Sequence, residues 1–343
     1  MSVNSPKSIV TGGAGFIGSN LVRHLLGKGH RVLNIDKLTY AGNLRSLDDV
    51  AAHPNYEFLQ ADIADAAAMN QAFSSFMPDT VFHLAAESHV DRSIHAPLDF
   101  VQTNVVGTAV LLQATLHFWE NLTAERKAAF RFIHVSTDEV FGSLGEAGSF
   151  SESSCYDPHS PYSASKAASD HLVRSWHDTY GLPAIVTNCA NNHGPRQYPE
   201  KLIPLAIINA ISGKSIPIYG DGMNVRDWIH VEDHCEGLLA VAERGICGET
   251  YLIGANAEWR NIDLVRNLCQ HLDELHPSNN GLSYANQIQF VNDRPGHDFR
   301  YAIDSSKIRR ELGWKPRQSP SDAFRSTVQW YLEHENWWRP LLR

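Results

Sequence analysis

Cysteine is too scarce and too scattered to build a framework. The five residues Cys155, Cys189, Cys235, Cys247 and Cys269 are odd in number and form no Cys-x-x-Cys pair, which excludes a disulfide scaffold and leaves reduced, mostly structural thiols. Long apolar runs are absent as well. None approaches the ~18 residues of a membrane helix, and the short polar start Met1 to Lys7 is no secretory signal, so no membrane partner and cytoplasmic residence are expected. There is no excess of basic charge. A net charge of −9 argues against nucleic acid and against anionic membranes as partners. The eighteen histidines show no His-Glu-x-x-His spacing, and no metal is expected. No Pro/Ser-rich linker or low-complexity tract divides the 343 residues, so one body with two lobes is expected.

What is present begins with glycine. Ser8 to Thr11 reads as a short apolar strand, Gly12-Gly13-Ala14-Gly15-Phe16-Ile17-Gly18 as a glycine turn, and Ser19 to Leu26 has the apolar spacing of a helix. Gly12, Gly15 and Gly18 suit a tight turn, close approach of a pyrophosphate, and close packing of helix on strand. The helix amino terminus would then offer free N–H groups and its positive dipole end to phosphates. Arg31 to Asp36 is a second strand ending in an acid about 20 residues on, where a carboxylate hydrogen-bonds ribose hydroxyls and repels a 2′-phosphate. NAD is favoured over NADP. Tyr56 to Ala61 reads as a third strand leading to Asp62-Ile63, a pair that would flank the adenine. Asp79 to Leu84 is a fourth, and the small residues Ala85 and Ala86 after it either let a cofactor pass close or pack tightly. Val101 to Thr115 has the periodicity of an apolar helix, Arg131 to Ser136 is a buried strand, and Ala184 to Cys189 is another. The alternation predicts an α/β fold with a right-handed, doubly wound parallel Rossmann sheet.

Two further stretches carry chemistry. Thr137-Asp138-Glu139 stands just past the carboxyl end of a predicted strand, where ligands bind in open α/β sheets. The same three residues would also serve as a solvated helix start, since Thr and Asp are good caps. Tyr162 and Lys166 are four apart on a helix that starts at Ser160-Pro161 and meets no breaker before Gly181, so both lie on one face. A neighbouring ammonium lowers a phenol from its ordinary ~10 toward the range of a general base. Tyr-x-x-x-Lys is common by chance; behind a dinucleotide fingerprint it gains weight. A redox base beside two carboxyls points to oxidation coupled to elimination.

These stretches, with Ala85-Ala-Glu-Ser-His-Val-Asp-Arg-Ser93, Pro199-Glu-Lys-Leu-Ile-Pro204, Val225-Arg-Asp-Trp228 and Asp293-Arg-Pro-Gly-His-Asp298, resemble the extended short-chain dehydrogenase/reductases over essentially the whole chain, and among them the dTDP-glucose 4,6-dehydratase family. The glycine turn and the Tyr/Lys pair belong to the wider superfamily; Thr-Asp-Glu and Pro-Glu-Lys-Leu-Ile-Pro are narrower. The resemblance implies that Tyr162, tuned by Lys166, takes the O4 proton of the sugar while hydride leaves C4 for NAD, with Thr137 hydrogen-bonding the new carbonyl. Glu139 then removes the C5 proton, Asp138 protonates the departing C6 hydroxyl, and hydride returns to C6. It adds Lys37, Leu38, Thr39, Leu84, Ser88, Thr103 and Asn192 to the cofactor site. To dTDP-glucose it assigns Ser88, Asn191, Glu200, Lys201, Leu202, Pro204, Pro217, Tyr219, Arg226, Asn261, Asp293, Arg294 and His297. Arg226 suits a diphosphate on its own chemistry, because a guanidinium fork matches phosphate oxygens, and a surface ion pair with Asp227 or Asp221 is the other reading.

By the same resemblance, residues 1–190 with a return segment 228–255 form the NAD-binding domain, and 191–227 with 256–343 form a smaller α/β substrate lobe. A homodimer would form through a four-helix bundle of roughly Leu98 to Trp119 and Ala164 to Tyr180, although packing on the sheet would also explain both helices. His193 and Arg196 stand where the family usually has Tyr, and Ile229-His230 where an aliphatic-Tyr pair is common; these bear on nucleotide or sugar preference, unless His193 is a packing change. A nucleotide-sugar 4-epimerase shares the glycine turn and Tyr/Lys pair but needs no Asp-Glu pair, and a non-enzymatic NAD sensor on the same fold needs no complete catalytic set.

Overall fold

The computed structural model describes residues 5–293 and 296–342. The first six strands, β1 (Lys7–Thr11), β2 (Arg31–Asp36), β3 (Tyr56–Gln60), β4 (Thr80–His83), β5 (Arg131–Thr137) and β6 (Ala184–Cys189), lie in the main sheet. They are followed by β7 (Asn191–His193), β8 (Ile216–Tyr219), β9 (Val225–His230), β10 (Thr250–Ile253), β11 (Glu258–Arg260) and β12 (Ile288–Val291). The main sheet is parallel throughout, with order β10-β6-β5-β4-β1-β2-β3. Its order reverses between β1 and β4, so a crevice opens at their carboxyl ends, the place where doubly wound sheets bind ligands.

Apolar residues on both sheet faces explain the two layers of helix. On one face Val10, Phe82, Ile133 and Ile185 pack with Leu21, Leu25, Leu238 and Val241 of the helices Phe16–Gly27 and Val231–Arg244. On the other, Ile9, Val81, Phe132 and Val186 meet Phe73, Leu111, Leu112 and Val173, from Ala66–Phe76, Thr108–Glu120 and Pro161–Tyr180. A separate core of Ile207, Ile216, Leu264, Leu268, Phe324 and Tyr331 lies beyond the sheet, beside a three-stranded sheet β11-β9-β7 and the pair β12-β8.

One expected helix differs. The stretch read as a regular helix over Val101 to Thr115 starts at Pro97–Phe100, runs through a π-helical segment Val101–Gly107 and continues as Thr108–Glu120. The buried Asn104 lies in the widened segment and faces away from its own ladder: its amide accepts from Glu87 N (2.8 Å) and donates to Glu87 O (3.0 Å) and Ser165 Oγ (2.9 Å). Such π turns concentrate at functional sites. Here it ties the loop after β4 to the helix that carries Tyr162.

Candidate active site

The glycine turn shows why only glycine serves at two of its positions. Gly12 has φ +72°, and a Cβ there would lie 2.7 Å from Ala85 N; at Gly18 a Cβ would lie 2.2 Å from Gly12 O. The helix that follows is capped by Gly15 with no side-chain hydrogen bond, which leaves its first N–H groups for a ligand. Asp36 at the end of β2 accepts from Ala14 N (2.9 Å) and Leu38 N (2.8 Å), with lone pairs to spare for ribose hydroxyls. Lys37 reaches Asp62 and Thr103. These residues fit a dinucleotide. Gly18→Ala is expected to push the helix off β1, destabilising the fold by about 1–3 kcal/mol and weakening NAD binding, as calorimetric titration and thermal melting would show; wild-type affinity would contradict the packing argument.

A single cleft of about 490 Å³ runs from this turn across the sheet end to the second lobe, a size typical of small-molecule sites. Of the residues singled out from sequence, it is walled by Gly12, Gly15, Phe16, Ile17, Gly18, Asp36, Lys37, Thr39, Asp62, Ile63, Leu84, Ala85, Ala86, Ser88, Thr103, Asn191 and Asn192. The wall continues with Thr137, Glu139, Tyr162, Lys166, Glu200, Lys201, Leu202, Pro217, Tyr219, Arg226, Asn261 and His297. Four others stand off the wall. Leu38 has φ +60° and packs against the main core. Pro204 is buried within the helix Leu202–Ile211, and the Asp293 carboxylate pairs with His297 Nδ1 at 2.6 Å. Asp138 is the fourth. Arg294 falls outside the described residues.

The catalytic candidates come from three local structures. Thr137 is the last residue of β5 and the N-cap of the 3-10 turn Asp138–Phe141, accepting from Glu139 N, so it both ends a strand and caps a helix. Tyr162 sits in the first turn of Pro161–Tyr180, fixed by a capping box between Ser160 and Ser163, with Pro161 at the start and a left-handed Gly181 at the end. Lys166, one turn on, donates to Val135 O at 2.9 Å.

Burial sets the protonation states. Asp138 is 1 % exposed, and its Oδ2 has no hydrogen-bond partner. Desolvation first, then the neighbouring Glu139 and Asp227, hold its carboxyl well above the usual carboxylate range. Desolvation thus favours its protonated form, and the carboxyl stands off a wall that Glu139 lines. Tyr162 corrects an expectation. Burial, reinforced by the charge of Glu139, pushes the phenol well above its ordinary value, and the hydrogen bond from Thr137 only partly opposes this. The neighbouring Lys166 does not bring it down, because the phenol's own desolvation dominates; Lys166 is also buried and pushed below its ordinary value by desolvation, against the opposing charge of Asp170.

In the second lobe, Arg226 donates to the carbonyls of Val225 (2.7 Å), Asp298 (2.9 Å) and Phe299 (3.2 Å) and lies 4.3 Å over the Tyr301 ring, which places its guanidinium firmly on the cleft wall. Lys201 donates to Ser88 O, and Glu200 faces His89 (3.5 Å) and Arg92 (4.0 Å). Asn191 Oδ1 and Asn261 Oδ1, both in wall residues, are buried without a partner, acceptors available to a ligand. His193 does not reach the cleft: it is 1 % exposed, bonded to Thr327 Oγ1 at 3.0 Å, and packed on Phe324 at 4.5 Å. Arg196 pairs with Asp49 and lies over Trp330, and His230 bonds Gln318. None of the three departures from the family pattern stands on the cleft wall.

Sequence reasoning missed wall residues too. Glu87 and His89 lie in a stretch already singled out, but no spacing rule gave them a role. Tyr40, Tyr198 and Tyr301 carry no local signal; they reach the cleft through contacts such as Arg92 over Tyr40 and Tyr40 edge-on to Tyr198.

Comparison with known proteins agrees with this geometry. The sequence model described as GDP-mannose 4,6 dehydratase matches residues 9–327. The chain is 55 % identical to the dTDP-glucose 4,6-dehydratase of Neisseria meningitidis serogroup B, covering 98 % of this chain and 96 % of that one. It is 56 % identical to that of Shigella flexneri, covering 96 % and 94 %. Among solved structures, DesIV, the dTDP-glucose 4,6-dehydratase of Streptomyces venezuelae with NAD bound, superposes with a TM-score of 0.88 at 45 % identity over 98 % and 99 % of the two chains. The UDP-glucose 4-epimerase of Thermotoga maritima superposes almost as well, at 0.84 over 95 % and 99 %, but is 28 % identical. Fold alone separates the two activities poorly, whereas identity separates them: the chain belongs to the dTDP-glucose 4,6-dehydratase family.

Proposed function

We propose that the chain is an NAD-dependent lyase that converts dTDP-glucose to dTDP-4-keto-6-deoxyglucose. NAD, when bound, supplies the hydride acceptor for C4 of the sugar and the donor for C6. The side chains move the protons. Tyr162 Oη takes the proton from O4, with Thr137 hydrogen-bonding the oxygen that becomes a carbonyl and Lys166 charged beside the pair. A C4 ketone makes the C5–H acidic, which it is not in the parent sugar. Glu139 then removes that proton, and Asp138, already protonated, gives its own to the C6 hydroxyl so that water leaves. In this reading Arg226 takes the diphosphate, and Asn191, Glu200, Lys201, Pro217 and Tyr219, which line the same cleft, take the rest of the nucleotide sugar.

The observation that carries this reading is the pair of adjacent carboxyls at the end of β5, one fully buried where desolvation favours its acid form, the other on the cleft wall. Elimination needs an acid and a base at one pH, and different environments for two neighbouring carboxyls supply them. Epimerisation does not need them. Offering dTDP-, UDP-, CDP- and GDP-glucose separately should consume the dTDP sugar alone; conversion of UDP-glucose to an isomer of unchanged mass would favour the epimerase.

The substrate lobe in this reading is 191–227 with 256–343, in keeping with the separate core described above, while Val231–Arg244 and β10 return to the NAD-binding domain. The dimer is proposed to form through a four-helix bundle of roughly Leu98 to Trp119 and Ala164 to Tyr180. Leu98 is 77 % exposed, and Val101 and Val106 are 45 % and 40 % exposed, a solvent-facing apolar row that pairing would cover. Leu98→Glu should therefore halve the mass measured by light scattering, and an unchanged mass would argue against this interface. Cytoplasmic residence is part of the same reading, supported by five free thiols; no helix of the described residues is long and apolar enough to cross a membrane.

A further inference from the structure

We infer that Asp170 is a positioning residue for the oxidation step, acting as the buried counter-charge one helical turn beyond Lys166 and, through Asn188, as the anchor of the strand end that presents Thr137. This rests on the reading of Tyr162 and Lys166 as the oxidation pair.

Asp170 lies one helical turn beyond Lys166 on Pro161–Tyr180 and is 0 % exposed. Residues four apart on a helix share a face. Its Oδ2 accepts from Tyr156 Oη at 2.8 Å and from Asn188 Nδ2 at 3.1 Å, and the same Asn188 amide donates to Thr137 O at 3.1 Å. His134 Nε2 lies 3.1 Å from Oδ1, while Tyr156 Oη accepts from Arg174 at 2.8 Å. A chain of polar contacts thus runs from Arg174 and Tyr156 through Asp170 and Asn188 to the backbone of Thr137, beneath the cleft floor and off its wall.

A fully buried carboxylate is costly, and replacing it by apolar groups often stabilises a protein; its charge needs a use. The titratable groups packed around it are His134 on β5, His83 on β4, Cys189 on β6, Tyr156 in the preceding loop, and Tyr162, Lys166 and Arg174 on its own helix. Glu139 and Asp138 face Tyr162 from beyond β5. His134, pushed down to about 4 by burial, is a neutral ring at working pH, and burial likewise holds His83 neutral and keeps Cys189 a thiol at about 12. Against desolvation, which works to neutralise it, Asp170 is held ionised by His134, Lys166 and Tyr156. Lys166 is therefore left with Asp170 as the ionised carboxylate opposing its own desolvation.

Asp170→Asn keeps the shape and removes the charge. The expected result is unchanged affinity for NAD and for dTDP-glucose, kcat lowered roughly ten- to a hundredfold, and the alkaline limb of the kcat–pH profile moved to lower pH, because Lys166 without its counter-charge loses its proton sooner. In a Lys166→Met background, Asp170→Asn should lower kcat no further. Wild-type kcat with an unmoved alkaline limb in Asp170→Asn, or a full additional loss on top of Lys166→Met, would overturn the inference. Should the asparagine variant not fold, Asp170→Glu, which keeps the charge, should lower kcat with the alkaline limb in place, and a displaced limb there would overturn it equally. Wild-type turnover in Lys166→Met alone would instead overturn the reading of the oxidation pair.

Discussion

Asp138→Asn is expected to keep the oxidation of C4 and to lose about 10²- to 10⁴-fold in elimination, the usual worth of a placed general acid. Asparagine matches the carboxylic acid in shape but has no proton to give to the C6 hydroxyl. In a single turnover the reduced nicotinamide should form at close to the wild-type rate and then persist, where the wild-type signal decays. Product formed at the wild-type rate would remove Asp138 from the chemistry. The same variant should be more stable than the wild type at neutral pH. Burial raises the Asp138 carboxyl in the fold above its ordinary value, so the stability it contributes is fully present below the unfolded value of about 3.9 and is lost as pH rises toward the folded one. Asparagine does not titrate. The variant's advantage in melting temperature should be absent at pH ~3.5, below that unfolded value, and grow from there toward neutrality. An advantage independent of pH would mean that Asp138 is ionised in the fold.

Tyr162→Phe should abolish the first step, with turnover lowered by about 10²- to 10⁴-fold and no transient reduction of the nicotinamide. The ring keeps its edge contact with Phe100, 6.3 Å between centroids, so folding and NAD binding should be retained; only Oη is lost. Burial holds that phenol up, so the oxidation half-reaction should also speed up with rising pH in the wild type until Lys166 begins to lose its proton. Normal reduction of the nicotinamide in the phenylalanine variant would overturn the assignment of the base.

Much of this was legible wherever the chemistry is local. Arg31–Asp36 and Ala184–Cys189 coincide with their strands residue for residue; each carries Val and Ile, which favour strands. The Tyr162 helix was readable at both ends from Ser160-Pro161 and Gly181, the residues that cap it. The π turn at Val101–Gly107 was not, since apolar periodicity reports which residues face the core and not that the Asn104 side chain bonds Glu87 and Ser165. Nor was the height of the Tyr162 phenol: spacing places Lys166 near it but does not count desolvation. Tyr301 and Tyr40 reach the cleft through contacts between segments far apart in the chain, which no local pattern encodes. His193 shows the converse, a departure from pattern that the sequence left open between altered preference and packing, and that its contacts with Thr327 and Phe324 place off the cleft.

The central claim is that one cleft couples a redox pair to an acid and a base on a single turn. Mass spectrometry of dTDP-glucose incubated with the purified protein in H₂O and in D₂O tests it most directly. Loss of one water, with one deuterium taken from solvent at C5, is the predicted result. An unchanged mass, with conversion to the galactose isomer or with no conversion at all, would contradict it.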